Sequence, residues 1–327
     1  MRTAPDSPEE SMHVSITRPS TPEEALALLR GARSELGTPI ADLVVTDEHL
    51  TTAFANRNRR PEWVWTADRD GRTAGRVAGW GAPANDQPWI LDFFDLGEEP
   101  DRVDVMTALL RRATADLRAG GLEQVELNLF PPAGWRDDPP PALPDLLAAA
   151  KAAGFEILVT RRRFRWTPAA GLPSVRDGLR FEPVSGPDDP VLADAYLRTF
   201  QGSLDAHTRR SLRTRDAAEL AAEELADMVN YAGPVDGWRV AYDAGGALVG
   251  LVTGNPGAKV FTGYVGVVPE QRGHGYAREL LAWMTTWQAE HGAEKVVGET
   301  DDENVPMRRA FEAVGFEEES ARIDLVG

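Results

Sequence analysis

VGVVPEQRGHGYARELLAWMTTW, residues 265–287, decides the fold of this chain. It reads as a strand ending at Val268, a stop at Pro269, a glycine turn, and then a helix. Leu280, Leu281, Met284 and Trp287 recur at helical spacing and form one apolar stripe. The turn is Arg272-Gly273-His274-Gly275-Tyr276-Ala277. Glycine admits positive φ and removes the Cβ that would keep a ligand away from the backbone. Successive N–H groups at a helix start make a concave anion site, and the helix dipole reinforces it. The turn is therefore expected to cradle a diphosphate, with Arg272 adding positive charge. No Lys-Ser/Thr follows, so a triphosphatase loop is excluded. A dinucleotide fold places its glycines after the first strand of a βαβ unit, whereas several strands precede this loop.

Working outward, the spacing predicts a strand in LRFEPV and one or two helices within 188–230. A hairpin starts at Trp238, VFTGYVGVV forms one strand, and the helix of the glycine loop runs from about Gly275 to His291. KVVGET, PMRRAFEAV and EESARIDLV give strand, helix, strand. This order is a mixed α/β sheet with helices on its faces.

The first half repeats parts of this pattern. WVWTADRDGRTAGRVAG from Trp63 aligns without gaps on WRVAYDAGGALVGLVTG from Trp238, matching Asp68/Asp243, Gly71/Gly246, Gly75/Gly250, Val77/Val252 and Gly79/Gly254. AAKAAGFE and AFEAVGFE, ending at Glu156 and Glu317, each read as a helix stopped by a glycine. The proline-rich residues 131–145 supply the extra length between the two motifs of the first half. The chain is thus expected to hold a polar, disordered tail over 1–12, one α/β domain over 13–167, a Pro/Gly linker over 168–178, and a second domain over 179–327.

The glycine loop resembles the Arg/Gln-x-x-Gly-x-Gly/Ala signature of the GNAT superfamily of N-acetyltransferases. A second signature, an asparagine after a strand followed by a helix ending in Gly-Phe, is matched by Asn304, Met307, Phe311, Gly315 and Phe316. The resemblance covers about 179–327 directly and the first half only through the repeat. It implies two tandem GNAT-like acyl-CoA N-acyltransferase domains, the second binding acetyl-CoA as co-substrate. It further implies that Val267 offers its N–H to the thioester oxygen, with Val268, Arg272, Gly273, His274, Gly275, Tyr276, Ala277, Asn304 and Met307 around the coenzyme. Glu299, five residues before Asn304, matches the position of a glutamate base in ribosomal-protein N-acetyltransferases of the superfamily. The tyrosine that many members use as general acid is replaced by Phe311, which has no proton to donate; Tyr264, Tyr276 or a water is the expected substitute.

The first copy carries Asp92, Asp95, Glu98, Glu99 and Asp101 where the cradle should be, and carboxylates repel a diphosphate. It reads as a degenerate copy. The basic run Arg161-Arg162-Arg163-Phe164-Arg165-Trp166 reads as an edge strand paired with carboxylates.

The net charge of −17 argues against nucleic acid and is compatible with a cationic acceptor. The resemblance implies that members differ mainly in the helices between the first two strands, here about 190–231, where Asp205, His207, Glu223, Glu224 and Asp227 fall. There are no cysteines, and no two of the five histidines share metal-ligand spacing, so no metal is expected. The start lacks the apolar core of a signal peptide and no run reaches spanning length, so a cytoplasmic protein without membrane partners, monomer or homodimer, is expected. The expected activity is N-acetyl transfer to a small-molecule primary amine by direct attack in a ternary complex. The alternatives are a regulatory acyl-CoA-binding module without turnover, and a peptide or protein N-acetyltransferase.

Overall fold

A computed structural model of the chain describes residues 14–175, 178–232 and 234–327. The tail expected over 1–12 lies outside them. The chain divides into two compact units: residues up to Asn128 with Pro139–Glu156 and Leu325–Gly327, and Leu129–Asp138 with Ile157–Asp324. The sequence reading ended the first domain at Thr167. The contacts instead gather residues 129–138 and 157–167 into the second unit.

In the first unit the chain runs β1 (Ser15–Thr17), α1 (Pro22–Leu29), α2 (Pro39–Val44), α3 (Asp47–Ala55), β2 (Val64–Arg69), β3 (Arg72–Trp80), β4 (Ile90–Asp95), α4 (Arg102–Ala119), β5 (Glu126–Leu129) and α5 (Leu143–Ala152). The strands lie side by side in the order β1-β2-β3-β4-β5. Thr21, Thr38 and Thr46 start the three short helices, each hydroxyl accepting the N–H three residues on. The carboxylates at the start of α4 are paired: Asp92 with buried Arg59 at 2.8 Å, Asp101 with Arg69 at 2.5 Å, Glu98 with Arg33 at 2.5 Å, and Asp95 with Arg76. Gly97 is the glycine of this loop, and a Cβ on it would run into the Ala74 carbonyl.

The second unit holds β6 (Glu156–Trp166), β7 (Arg180–Pro183), α6 (Pro190–Thr199), α7 (Ala206–Ser211), α8 (Ala217–Ala232), β8 (Gly237–Tyr242), β9 (Leu248–Gly254), β10 (Lys259–Phe261), β11 (Val265–Val267), α9 (Tyr276–Glu290), β12 (Lys295–Asp301), α10 (Val305–Val314) and β13 (Glu317–Val326). The repeat is real in three dimensions. β2–β3 and β8–β9 are antiparallel hairpins with Gly71 and Gly246 at φ 77° and 86°, and Trp63 and Trp238 are both buried. Gly154 and Gly315 follow their helices at φ 96° and 94°. That left-handed geometry is the one for which the terminating glycine was expected.

One sheet of this unit has the order β11-β9-β8-β7. Period-2 alternation divides its two faces: Val240 and Leu251 pack with Leu192, Tyr196 and Leu225 of α6 and α8, while Ala241 and Val252 pack with Leu280, Leu281 and Met284 of α9. The predicted stripe of α9 is buried throughout. In the other sheet of the unit, β6 lies between β13 and β12, with β10 beyond β12. The Arg161–Trp166 run is therefore an interior strand, not the expected edge. Phe164 and Trp166 are 1% exposed on its apolar side, and Arg161, Arg163 and Arg165 alternate with them.

The segment read as the single strand VFTGYVGVV is two strands. β10 pairs in parallel with β12 and β11 pairs antiparallel with β9, so the chain changes sheets at residues 262–264. Gly263 makes the crossing at φ 64°, where a Cβ would overlap the Thr253 carbonyl. Among the described residues no helix is long and apolar enough to cross a membrane, and no group of three acidic or histidine side chains could hold a metal.

Candidate active site

The change of sheets leaves a gap between β11 and β12, and the start of α9 closes one end of it. The resulting cleft measures about 1030 Å³. Arg272, Gly273, His274, Gly275, Tyr276 and Ala277 line it, as do Tyr264, Val267, Glu299, Asn304 and Met307. The structure thus brings the two sequence signatures together, with one exception. Val268 is fully buried, its N–H bonds Val249 O at 3.0 Å, and its carbonyl accepts from Gln271 at 3.0 Å. Strand alternation removes it from the coenzyme set.

The same alternation exposes Val267. Thr253 N donates to Tyr264 O and Val268 N to Val249 O, so positions 264 and 268 face β9. Val265 and Val267 lie between them, and their N–H groups point to the open edge of the sheet. Gly273 and Gly275 adopt φ 85° and 83°, and Gly275 is the N-cap of α9. Among the described residues, nothing accepts the N–H groups of residues 273–277. They form a row of donors at the positive end of a helix dipole.

Arg272 does not present its guanidinium to this row. Its Nε donates to Val267 O at 3.1 Å, Nη1 to Gln201 O at 2.6 Å and to Gly202 O at 3.2 Å, and Nη2 to Thr199 O at 2.9 Å. His274 is exposed, with Nδ1 at 3.3 Å from Gln271 O. On the opposite wall Asn304 caps α10, its Oδ1 accepting from Met307 N at 3.3 Å. Arg308 turns to Asp302, while its exposed neighbour Arg309 lines the cleft.

Glu299 reaches the cleft as alternation requires, but both its oxygens are engaged. Arg163 of β6 takes Oε1 and Arg322 of β13 takes Oε2 at 2.5 Å. Burial alone would raise this carboxyl; the charges of Arg322 and Arg163 outweigh it and hold the group below its ordinary range. A carboxylate so held is a weak proton acceptor. Arg322 also binds Asp324, which accepts from His207 at 2.8 Å. Burial again pushes Asp324 up, and Arg322 and His207 more than reverse it.

Tyr264 stands at the crossing between the sheets. Burial pushes its phenol up to about 12, so it stays neutral at physiological pH. Its hydroxyl lies 2.7 Å from Thr199 Oγ1, which donates its single proton to Tyr196 O at 2.6 Å. The Thr199 oxygen must therefore accept, and the Tyr264 O–H points at it. Phe311 is 1% exposed and stacks on Phe164 with centroids 4.8 Å apart; a Cβ on Gly298 would enter its ring. The position held by tyrosine in the resembling family is here a core ring.

Of the acidic residues expected at the acceptor side, Asp205 lines the cleft, capping α7 and facing Arg161 at 3.3 Å. Glu224 instead bonds Tyr196 at 2.6 Å, and Glu223 pairs with Arg215. Arg161, Thr199, Ser203 and Leu204 also line the cleft and escaped the sequence reading. For Arg161 a signal existed: arginines alternating with Phe164 and Trp166 describe a two-faced interior strand. For the residues of the 199–205 loop there was none, since loops carry no period.

The mixed sheets, the splayed strands and the glycine loop at the start of α9 define a GNAT fold. Residues 204–316 match the profile of the Acetyltransferase (GNAT) family. A GCN5-related N-acetyltransferase from Sphaerobacter thermophilus is similar over 99% of this chain and 96% of that chain, with 15% identity and a TM-score of 0.64. A tandem GNAT protein from the clavulanic acid biosynthesis pathway is similar over 96% and 98%, with 20% identity and a TM-score of 0.50. A GNAT-family acetyltransferase from Colwellia psychrerythraea is similar over 95% and 98%, with 12% identity and a TM-score of 0.51. No curated protein matches by sequence. Residues 204–316 thus carry the sequence signature of a family of acyl transfer that draws on acyl-CoA, and the fold of the chain is that of GNAT proteins, a tandem one among them.

Proposed function

We propose that the second unit transfers an acetyl group from acetyl-CoA to a primary amine on a small cationic molecule, by direct attack within a ternary complex. The observation that carries this reading is the gap between β11 and β12, with the free N–H groups of residues 273–277 at one end and the outward N–H of Val267 along its side. The row at the start of α9 suits a diphosphate. The Val267 N–H is placed to stabilise negative charge developing on a thioester oxygen. Acetyl-CoA supplies the activated acyl group; the chain supplies alignment, an oxyanion donor and proton management. Asp205 and Glu299 line the cleft balanced by Arg161, Arg163 and Arg322, so the preference for an ammonium rests on the overall charge of −17, whose field attracts cations.

An amine must lose a proton to attack. Glu299, with both oxygens ion-paired to Arg163 and Arg322, is not the base in this reading, so the proton leaves through water. Tyr264 is the phenol that can protonate the departing thiolate. The first unit, with its loop closed by paired carboxylates, reads as a copy without a coenzyme site.

The test is thiol release from acetyl-CoA by the full chain across chemically diverse amines. Turnover with a small cationic amine supports the reading. A second reading, coenzyme binding without turnover, is favoured by Phe311 and by the ion-paired Glu299. Tight coenzyme binding in calorimetry with silence across the whole panel selects it.

A further inference from the structure

The Arg272 side chain belongs to a family signature that faces the coenzyme, yet every hydrogen bond it makes runs the other way. Three of its acceptors, Thr199 O, Gln201 O and Gly202 O, are carbonyls at and just beyond the C-terminal end of α6. The final carbonyls of a helix lack partners within it and carry the negative end of its dipole, so a guanidinium is a fitting cap. The fourth acceptor is Val267 O, on the residue whose N–H faces the gap.

Two further contacts tighten the same join. Gly202 holds φ 64°, and a Cβ there would stand 3.2 Å from Arg272 Nη1. A Cβ on Gly266 would meet Thr199 Cγ2 at 2.8 Å, so the end of α6 lies directly on β11. Beyond this join, Gly202, Ser203, Leu204 and Asp205 form part of the cleft wall, and the Thr199 hydroxyl receives Tyr264. Arg272 is thus one residue with its backbone in the diphosphate loop and its side chain in the acceptor wall.

We propose that Arg272 is a positioning residue for the acceptor wall and not a ligand of the coenzyme. It ties the 199–205 segment to the diphosphate loop, so that filling the loop stiffens the wall that receives the amine. This rests on the coenzyme reading given above. The prediction separates the two halves of the residue: removing the side chain leaves the N–H row intact and releases the wall.

The test is hydrogen–deuterium exchange of the full chain, with and without coenzyme A, on the wild type and Arg272→Ala, alongside calorimetry with coenzyme A. In the wild type, coenzyme A is expected to slow exchange over both 273–277 and 199–205. In Arg272→Ala, the dissociation constant should change by less than about threefold, and slowing over 273–277 should persist. Slowing over 199–205 should vanish, and exchange there in the free protein should rise about tenfold as the segment opens locally. If circular dichroism shows that the alanine variant does not fold, Arg272→Gln is read by the same outcomes. A coenzyme dissociation constant raised about thirtyfold or more, with protection lost at 273–277, would make Arg272 a coenzyme ligand and overturn the proposal. Unchanged exchange over 199–205 in the free variant would also overturn it. Should wild-type protein fail to bind coenzyme A, the proposed function falls, while the comparison of the free proteins still decides whether Arg272 holds the wall.

Discussion

Arg163 and Glu299 face each other across β6 and β12 as cross-strand partners, and their side chains are ion-paired. Arg163 precedes the proline-rich linker and Glu299 follows it, so the segment that ends the first sequence repeat supplies a counter-charge to the cleft of the second. Arg322 takes the other carboxylate oxygen at 2.5 Å.

That pairing sets the pH behaviour of Glu299. Its carboxyl is held below the ordinary glutamate value, so it is ionised throughout the neutral range. An acid limb of kcat/KM near neutrality therefore belongs to another group, and Glu299→Gln should leave such a limb where it is. The variant should also leave two buried guanidinium groups short of a partner, a loss of about 3–5 kcal/mol for a broken buried pair. Denaturant unfolding measures the second effect and a pH–rate profile the first. A limb between pH 6 and 8 that disappears in Glu299→Gln would restore Glu299 as the base.

Asp324 gives an acid-stability prediction. It is fully buried, bound by Arg322 at 2.7 Å and by His207 at 2.8 Å, and its carboxyl lies well below the ordinary range. A carboxyl depressed in the folded state contributes stability above its unfolded value, near pH 4, and that contribution is lost as pH falls through the folded value. Melting temperature should therefore decline as pH is lowered from about 5 to 3. Asp324→Asn should be less stable at pH 7 and show a shallower decline. An equal slope in both proteins would place the acid sensitivity elsewhere.

Gly275 carries the diphosphate prediction. Its φ is 83°, and an added Cβ would meet nothing within 4 Å. The cost of Gly275→Val is thus conformational, not a clash: about 1–2 kcal/mol for a branched residue held in the left-handed region. Relief of that strain moves the N–H groups that follow, so affinity for coenzyme A should fall at least about tenfold. Calorimetry gives the affinity and thermal unfolding the strain. Normal affinity with a shifted melting temperature would separate the turn from the binding site.

How far the sequence disclosed this molecule depended on whether a feature was local. The α9 stripe, the glycine stops at Gly154 and Gly315, and the paired hairpins at Trp63 and Trp238 were legible, because each is set by neighbours within a turn or a strand. The break of residues 259–267 into β10 and β11 was not. The run alternates like one strand, and only the pairing of its halves with different partners divides it. The place of β6 between β12 and β13 was hidden for the same reason: which strand pairs with which is decided over long separations. In the site, the glycine spacing gave the turn and its open N–H groups at the start of α9, although strand register turned Val268 away from the cleft. Side-chain roles survived less well. Nothing near Glu299 in the chain announces Arg163 or Arg322, and nothing near Arg272 announces the carbonyls of 199–202.

Tyr264 supplies the sharpest catalytic prediction, because its proton is accounted for. The Thr199 hydroxyl gives its hydrogen to Tyr196 O, so Tyr264 gives its own to Thr199. With the phenol pushed up to about 12, Tyr264 is neutral across any practical assay and produces no limb of its own in the pH–rate profile. To protonate a thiolate it must turn its O–H away from Thr199, and that hydrogen bond opposes the turn by about 0.5–1.5 kcal/mol. Tyr264→Phe removes the acid and should lower kcat by about a hundredfold, within the usual range for a positioned acid, while coenzyme affinity stays as it was. Thr199→Val removes the competing acceptor, along with the hydroxyl's bond to Tyr196 O, and should leave kcat unchanged or raise it a few fold. Steady-state kinetics on both variants, with calorimetry for the coenzyme, decides the matter. Equal losses in the two variants would mean that the Tyr264–Thr199 bond shapes the cleft and that the thiolate is protonated by solvent.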